Sequence, residues 1–111
     1  MPCIHFLTRG GKSWGMGHLY RVSWLINTLQ AQNRPELEID VYCHDTLEAR
    51  EYWALQEIPA AFFSTSQFSP QNLGQADVFV VDWLDSNPSL IAELAKGNSR
   101  VVLLDDYGPA Q

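Results

Sequence analysis

The stretch TRGGKSWGMGHLYR, residues 8–21, places four glycines beside a lysine, a histidine and two arginines. These residue types bind anions and move protons, and the glycines let a backbone turn sharply and approach a ligand closely. The second half of the stretch has the pattern G-x-G-H-x-x-R, in which Gly15 and Gly17 precede His18 and Arg21. The pattern predicts a ligand-binding loop that leads into a helix.

His18 stands at the start of the predicted helix, with Arg21 one turn later. The positive end of a helix dipole disfavours a protonated imidazole, so the neutral ring of His18 is available as a general base. The guanidinium fork of Arg21 suits a phosphate or a carboxylate. A structural role for His18, as a residue that caps and packs, is the alternative, and the surrounding glycines favour function slightly.

Two phosphate-binding patterns fit this stretch poorly. The P-loop pattern G-x-x-x-x-G-K-S would need its first glycine at Phe6, inside an apolar strand. The dinucleotide pattern G-x-G-x-x-G has Tyr20 at its third glycine, and a ring there hinders close packing of helix on strand. We therefore expect no bound nicotinamide or other cofactor.

Apolar periodicity defines the elements that must position the loop. Five strand patterns alternate with three helix patterns, which predicts an α/β, Rossmann-like three-layer domain with a five-stranded, mostly parallel sheet in the order 3-2-1-4-5. Asp45 is predicted to cap the second helix, with Glu48 at capping-box spacing. The predicted strands are Cys3–Thr8, Glu38–His44, Ala60–Phe63, Asp77–Asp82 and Arg100–Asp105, and the helices are His18–Gln32, Thr46–Glu57 and Pro88–Lys96.

Ligands of open α/β sheets bind outside the carboxyl ends of the strands. The glycine loop, Asp82 and the pair Asp105–Asp106 all follow strands that the predicted order makes adjacent. We expect them to share one crevice, with Asp82 fixing a loop and Asp106 bordering the crevice. The predicted substrate-binding residues are Gly15, Gly17, Arg21, Asp82 and Asp106, and the predicted catalytic residue is His18.

A metal site is not expected. Cys3, His5, Cys43 and His44 lie on neighbouring predicted strands, but they lack ligand spacing of the C-x-x-C kind and alternate between the two faces of the sheet. We interpret them as structural, and the two cysteines as reduced thiols. Magnesium held by the aspartates at the strand ends is a less favoured alternative.

Composition excludes several partner classes. The net charge is −6, and the chain has no continuous basic stripe of the kind that nucleic acid requires. Its apolar runs are only strand-sized, and the N-terminus does not read as a secretory leader. We therefore expect neither a nucleic-acid partner nor a membrane span, and a cytoplasmic location.

Two motifs together resemble a known family. The pattern G-x-G-H-x-x-R after the first strand, followed by ADVFVVDWLDSNPSLIAELAKGNSRVVLLDDYG, is similar to the N-terminal domain of the two-domain GT-B glycosyltransferase superfamily. The similarity is greatest to the nucleotide-sugar hydrolases of pseudaminic acid synthesis. The resemblance implies that residues 1–111 form one domain that receives the acceptor, that His18 activates water, and that a C-terminal nucleotide-binding domain completes the enzyme. Nucleotide sugar or glycosyl acceptor is the implied ligand.

Two other functions stay open from the residues alone. Tyr20 and Trp24 fall four apart on the helix face opposite Leu19 and Val22, so at least one large ring should be exposed. Such a surface suits a stand-alone, non-catalytic binding domain or a homo-oligomer. A nucleotide-binding enzyme complete in itself is the third hypothesis, and tight nucleotide binding by the isolated chain would support it.

Overall fold

The computed structural model describes residues 2–12, 15–32, 36–64, 73, 75–82, 92–96 and 99–104. Residues 92–94 are helical, and the rest of the predicted helix Pro88–Lys96 is mostly outside the described residues, as are Asp105 and Asp106. The elements are β1 (Cys3–Thr8), α1 (Gly17–Ala31), β2 (Glu38–His44), α2 (Leu47–Gln56), β3 (Ala61–Phe63), β4 (Val78–Asp82) and β5 (Arg100–Leu103).

The five strands form one parallel sheet in the order β3-β2-β1-β4-β5. The predicted α/β, Rossmann-like fold and strand order are therefore confirmed. The register places Thr8 beside Asp82 and His5 beside Asp40. The last residues of β1 and β4 consequently meet at the carboxyl edge of the sheet.

One face of the sheet packs against α1 and α2. Strand side chains alternate between faces, and the helix presents residues three and four apart to the same side. Leu19, Val22 and Ile26 of α1 are fully buried, which stabilises the fold by roughly 1.5–3 kcal/mol for each side chain. This core also contains Phe6, Val41, Cys43, Ala49, Trp53 and Val80.

The opposite face of the sheet has its own core. Leu7, Phe79 and Val81 point to this side, where Leu73 and Leu94 pack against them. Both faces of the central strands are therefore covered, as the continuous apolar runs of a parallel sheet require. No helix in the described ranges is long and apolar enough to cross a bilayer.

The predicted cap of α2 is wrong. Thr46, rather than Asp45, is the N-cap: its backbone is extended and its Oγ1 accepts a hydrogen bond from the Ala49 amide at 3.1 Å. Asp45 instead accepts from Arg50 at 2.6 Å, and Arg50 lowers the pKa of that carboxyl. Glu48 accepts from the Lys12 amide at 3.2 Å, so it ties α2 to the glycine loop instead of completing a capping box.

Other element ends differ from expectation by one or two residues. The helix α1 begins at Gly17 and ends at Ala31, one residue earlier at each end than predicted. The strands β3 and β4 each begin one residue later. Cys3 and Cys43 are both free thiols, as expected.

Candidate functional site

The glycine loop is closed by its own backbone. Gly11 donates to the Gly15 carbonyl at 3.1 Å, and Gly15 donates back to the Gly11 carbonyl at 2.7 Å. Gly11 has a φ of 140° and Gly15 a φ of 75°, values that favour glycine. The bridge turns the chain back at the end of β1, so that α1 starts beside the carboxyl edge of the sheet.

Contacts with both helices hold the loop in place. Thr46 Oγ1 donates to the Gly10 carbonyl at 2.7 Å, so the residue that caps α2 also anchors the loop. A Cβ atom at Gly10 would come within 2.6 Å of the Leu19 side chain, which is fully buried. The absence of a side chain at Gly10 lets the loop lie directly on the first turn of α1.

His18 and Asp82 form a buried pair at this edge. Nδ1 of His18 lies 2.7 Å from Oδ1 of Asp82. An ionised carboxylate can only accept, so the ring nitrogen is the donor in this contact. Asp82 has no exposed surface, and His18 is 6% exposed. Donation from Nδ1 leaves the lone pair on Nε2, so this contact selects the tautomer that can act as a base.

Arg21 completes the network. Its Nε donates to Oδ2 of Asp82 at 2.6 Å and its Nη2 donates to Oδ1 at 2.5 Å. The bidentate arrangement supplies the opposite charge that a buried carboxylate requires. The side chain of Arg21 is 37% exposed, so the pair reaches from solvent into the sheet.

The structure thus brings three sequence-predicted residues into direct contact: His18, Arg21 and Asp82. The expectation for Arg21 was an anionic ligand, whereas its guanidinium lies on a carboxylate of the protein. Gly15 and Gly17 flank the network on the loop side. Asp106 is outside the described residues.

Within the described residues, no atom crowds the two glycines of the motif. A Cβ atom at Gly15 or Gly17 would meet no described atom within 4 Å, other than its own chain neighbours and, for the helical Gly17, its local helix backbone. Met16, the N-cap of α1, makes no side-chain cap, and the first turn has no acidic residue. Among the described residues, no side chain caps the first amides of α1, which form the positive end of the helix dipole and favour an electron-rich group.

Two further polar side chains lie at this edge: Thr8, which the sequence analysis did not single out, and His44, which it interpreted as structural. Thr8 is fully buried beside Asp82, and its Oγ1 has no hydrogen-bond partner within the described ranges. His44 ends β2, and burial together with the cation of Arg9 lowers its pKa. Thr8 is the last residue of the first strand pattern, and the predicted strand order already placed it next to Asp82.

Comparison with known proteins adds no relative. The chain matches no family model, no curated protein and no solved structure. The fold and the side-chain contacts show a Rossmann-like α/β domain with a histidine–aspartate–arginine network around a buried carboxylate at the carboxyl edge of its sheet.

Proposed function

We propose that this chain is the acceptor-side, N-terminal domain of a GT-B-type glycosyltransferase or nucleotide-sugar hydrolase, with His18 as its general base. The contact between His18 Nδ1 and Asp82 Oδ1 carries the proposal. It provides a ring whose tautomer is fixed, at the edge of the sheet where α/β proteins bind ligands.

The chemistry follows from the free lone pair on Nε2. Nε2 of His18 removes a proton from water or from an acceptor hydroxyl, whose oxygen forms a bond to the anomeric carbon of the sugar. The bond between that carbon and the phosphate oxygen breaks, and the nucleoside diphosphate leaves with the electron pair. A positioned base of this kind contributes about 10²–10⁴-fold to a rate. Asp82 stabilises the imidazolium that forms.

The glycines and the helix start supply the binding surface in this proposal. In this proposal a sugar ring lies beside Gly15 and Gly17, where an added Cβ atom would meet no other described residue, and backbone amides donate to its oxygens. Arg21 acts through Asp82, by fixing the carboxylate, and Asp106 borders the crevice. A C-terminal nucleotide-binding domain, as the resemblance implies, holds the nucleotide, so the 111-residue chain alone has no turnover.

Binding to the isolated chain can be tested first. Amide resonances should be recorded while UDP-N-acetylglucosamine or its free sugar is added, and we expect shifts at Gly15, Gly17 and His18. His44→Gln, at the same edge of the sheet, is the matched control for His18→Gln: the control should keep the shifts and His18→Gln should weaken them. Amide spectra that do not change when either ligand is added would contradict the proposal.

Turnover is tested after assembly. The chain, joined to a GT-B nucleotide-binding domain, should release nucleoside diphosphate from a nucleotide sugar, and His18→Ala should remove this release. Full release by that variant would contradict the catalytic role of His18. The proposal also places the protein in the cytoplasm, which its two free thiols support.

A second candidate function is self-association without catalysis. Tyr20 is 56% exposed and Trp24 is 64% exposed on α1, and the Tyr20 ring stacks at a tilt on Tyr52 with centroids 5.3 Å apart. Under this candidate, sedimentation velocity shows a dimer that Trp24→Ser dissociates. Leu55→Ser, a change at an exposed position of α2, is the control. A monomer at all concentrations would eliminate this function.

A further inference from the structure

Three potential metal ligands meet at the amino edge of the sheet. Cys3, His5 and Leu7 are every second residue of β1, so their side chains lie on the same face of the sheet. Leu7 belongs to the core on the face opposite α1 and α2. The strand register places Asp40 of β2 directly beside His5. The parallel pairing therefore brings a sulfur, a nitrogen and an oxygen donor together on one face.

The distances among the donor atoms fit one small cation. Nε2 of His5 lies 3.2 Å from Oδ2 of Asp40, and Sγ of Cys3 lies 3.7 Å from the same oxygen. All three donor atoms lie within 4.8 Å of one another. Tetrahedral zinc, with its usual bond lengths to sulfur, nitrogen and oxygen, separates its nitrogen and oxygen ligands by ~3.3 Å and its sulfur and oxygen ligands by ~3.5 Å.

The imidazole of His5 is held in place by its surroundings. His5 is 4% exposed, and its ring meets Tyr42 and Phe79 edge to face, with centroids 5.1 Å and 5.5 Å away. Its Nδ1 is buried and has no hydrogen-bond partner in the described part of the chain. The ring therefore directs Nε2 toward Asp40, whose side chain is 54% exposed and open to an entering ion.

The charges around Cys3 favour a cation. The strand register places Glu38 beside Cys3, the Asp40 carboxylate lies against its Sγ atom, and Asp77 accepts a hydrogen bond from the Cys3 amide at 2.8 Å. This negative field attracts a divalent ion and compensates it after the thiol loses its proton to solvent. The donor set includes a thiolate and an imidazole, which suit zinc and not the oxygen-binding ions magnesium and calcium.

We propose that Cys3, His5 and Asp40 form a binding site for a divalent ion of the zinc class, with water as the fourth ligand. The site lies at the other end of β1 from the crevice. Five residue steps separate Cys3 from Thr8, or about 16 Å along the strand. The metal site is therefore independent of the proposed glycosyl chemistry, and either proposal can fail without the other.

Cobalt provides a direct test. The untagged 111-residue chain, kept reduced, should bind one equivalent of Co²⁺ with the visible bands of a tetrahedral ion and the near-ultraviolet band of a cobalt–thiolate bond. Zn²⁺ should displace the cobalt and raise the melting temperature. Absence of stoichiometric binding, or bands without a thiolate component, would overturn the proposal.

Single-residue variants distinguish direct coordination of the metal ion from its electrostatic attraction to nearby carboxylates. Cys3→Ser should abolish the thiolate band. Asp40→Asn should weaken zinc binding by ~100-fold or more, which exceeds the roughly 10- to 100-fold loss that is typical when an outer-shell partner is removed. Glu38→Gln is the matched control, since it removes the same charge from the same strand but no ligand, and its affinity should change less than about tenfold. Asp40 is largely exposed, so its variant tests the site even if Cys3→Ser does not fold. Equal affinities of Asp40→Asn and Glu38→Gln would contradict ligation by Asp40.

Discussion

Arg21 and Asp82 form a bidentate ion pair in which the carboxylate has no exposed surface and the guanidinium side chain is 37% exposed. The same carboxylate accepts from His18. Asp82, the last residue of β4, therefore connects the end of that strand to two successive turns of α1. The orientation of the proposed base depends on an ion pair whose two members have very different access to water.

This asymmetry predicts unequal costs for the two members of the pair. Arg21→Met leaves a buried carboxylate without compensation, and we expect it to lower the free energy of unfolding by about 3 kcal/mol. Asp82→Asn leaves an arginine that reaches solvent, and we expect a loss of about 1–2 kcal/mol. Urea unfolding of the single and double variants measures both changes.

The double variant provides the check. Because each single change breaks the same pair, we expect their combination to cost less than the sum by about 0.5–3 kcal/mol. Additive losses would show that Arg21 and Asp82 are not coupled. An Asp82→Asn variant that is less stable than Arg21→Met would contradict the asymmetry.

Gly10 and Gly17 are a matched pair of glycines with opposite surroundings. A Cβ atom at Gly10 would lie 2.6 Å from Leu19, whereas one at Gly17 would meet no described atom within 4 Å outside its local backbone. We expect Gly10→Ala to destabilise the protein by about 1–3 kcal/mol through overpacking. We expect Gly17→Ala to be neutral or to stabilise by up to about 1 kcal/mol, since alanine favours the helix.

We expect Gly17→Ala to reduce sugar binding although it does not reduce stability. The methyl group of Gly17→Ala fills space that the proposed sugar occupies, so we expect this variant to fold normally and to lose sugar binding. Thermal unfolding and amide titration on one sample of each variant measure both properties. Unchanged sugar binding by Gly17→Ala would show that the space beside this glycine is not used.

The sequence was sufficient to predict the sheet and to bring His18 and Asp82 to the same edge of it, but not to predict the contacts between them. The bounds of β1 and β2 follow from apolar runs and alternation, and the predicted strand order is the one typical of doubly wound α/β folds, which the sheet has. From that order, the carboxyl-edge rule brings His18 and Asp82 into one crevice. Their direct hydrogen bond is a consequence of side-chain geometry, which the strand pattern does not contain.

The errors arise where neighbouring residues have equivalent chemistry. Asp45 and Thr46 can both cap a helix, and only the extended backbone of Thr46 decides between them. Arg21 is able to bind a ligand anion or a protein carboxylate, and its distance from Asp82 is a tertiary property. The spacing of cysteines and histidines does not indicate Asp40 as a partner of His5, because only the strand register places the two residues side by side.

Cys43 should be inert in the folded protein. It is fully buried, and burial raises its pKa to about 12, so at pH 8 only about one thiol in 10⁴ is ionised. In a Cys3→Ser background, we expect alkylation by iodoacetamide to be slow in buffer and fast in urea. Mass spectrometry measures the rates, and native labelling as fast as that of a small-molecule thiol would contradict the burial.

His44 should make the protein less stable as the pH falls below the histidine range. Burial, and then the charge of Arg9, lowers its pKa from the ordinary value of 6.5, so the unfolded chain binds a proton that the folded chain resists. Its contribution to stability is present above pH 6.5 and is lost as the pH falls through the lower, folded-state pKa. His5, whose pKa burial also lowers, acts in the same direction. We therefore expect urea unfolding to show a weaker loss of stability in His44→Gln than in the wild type, before the carboxylates titrate; equal pH profiles would contradict a role for His44.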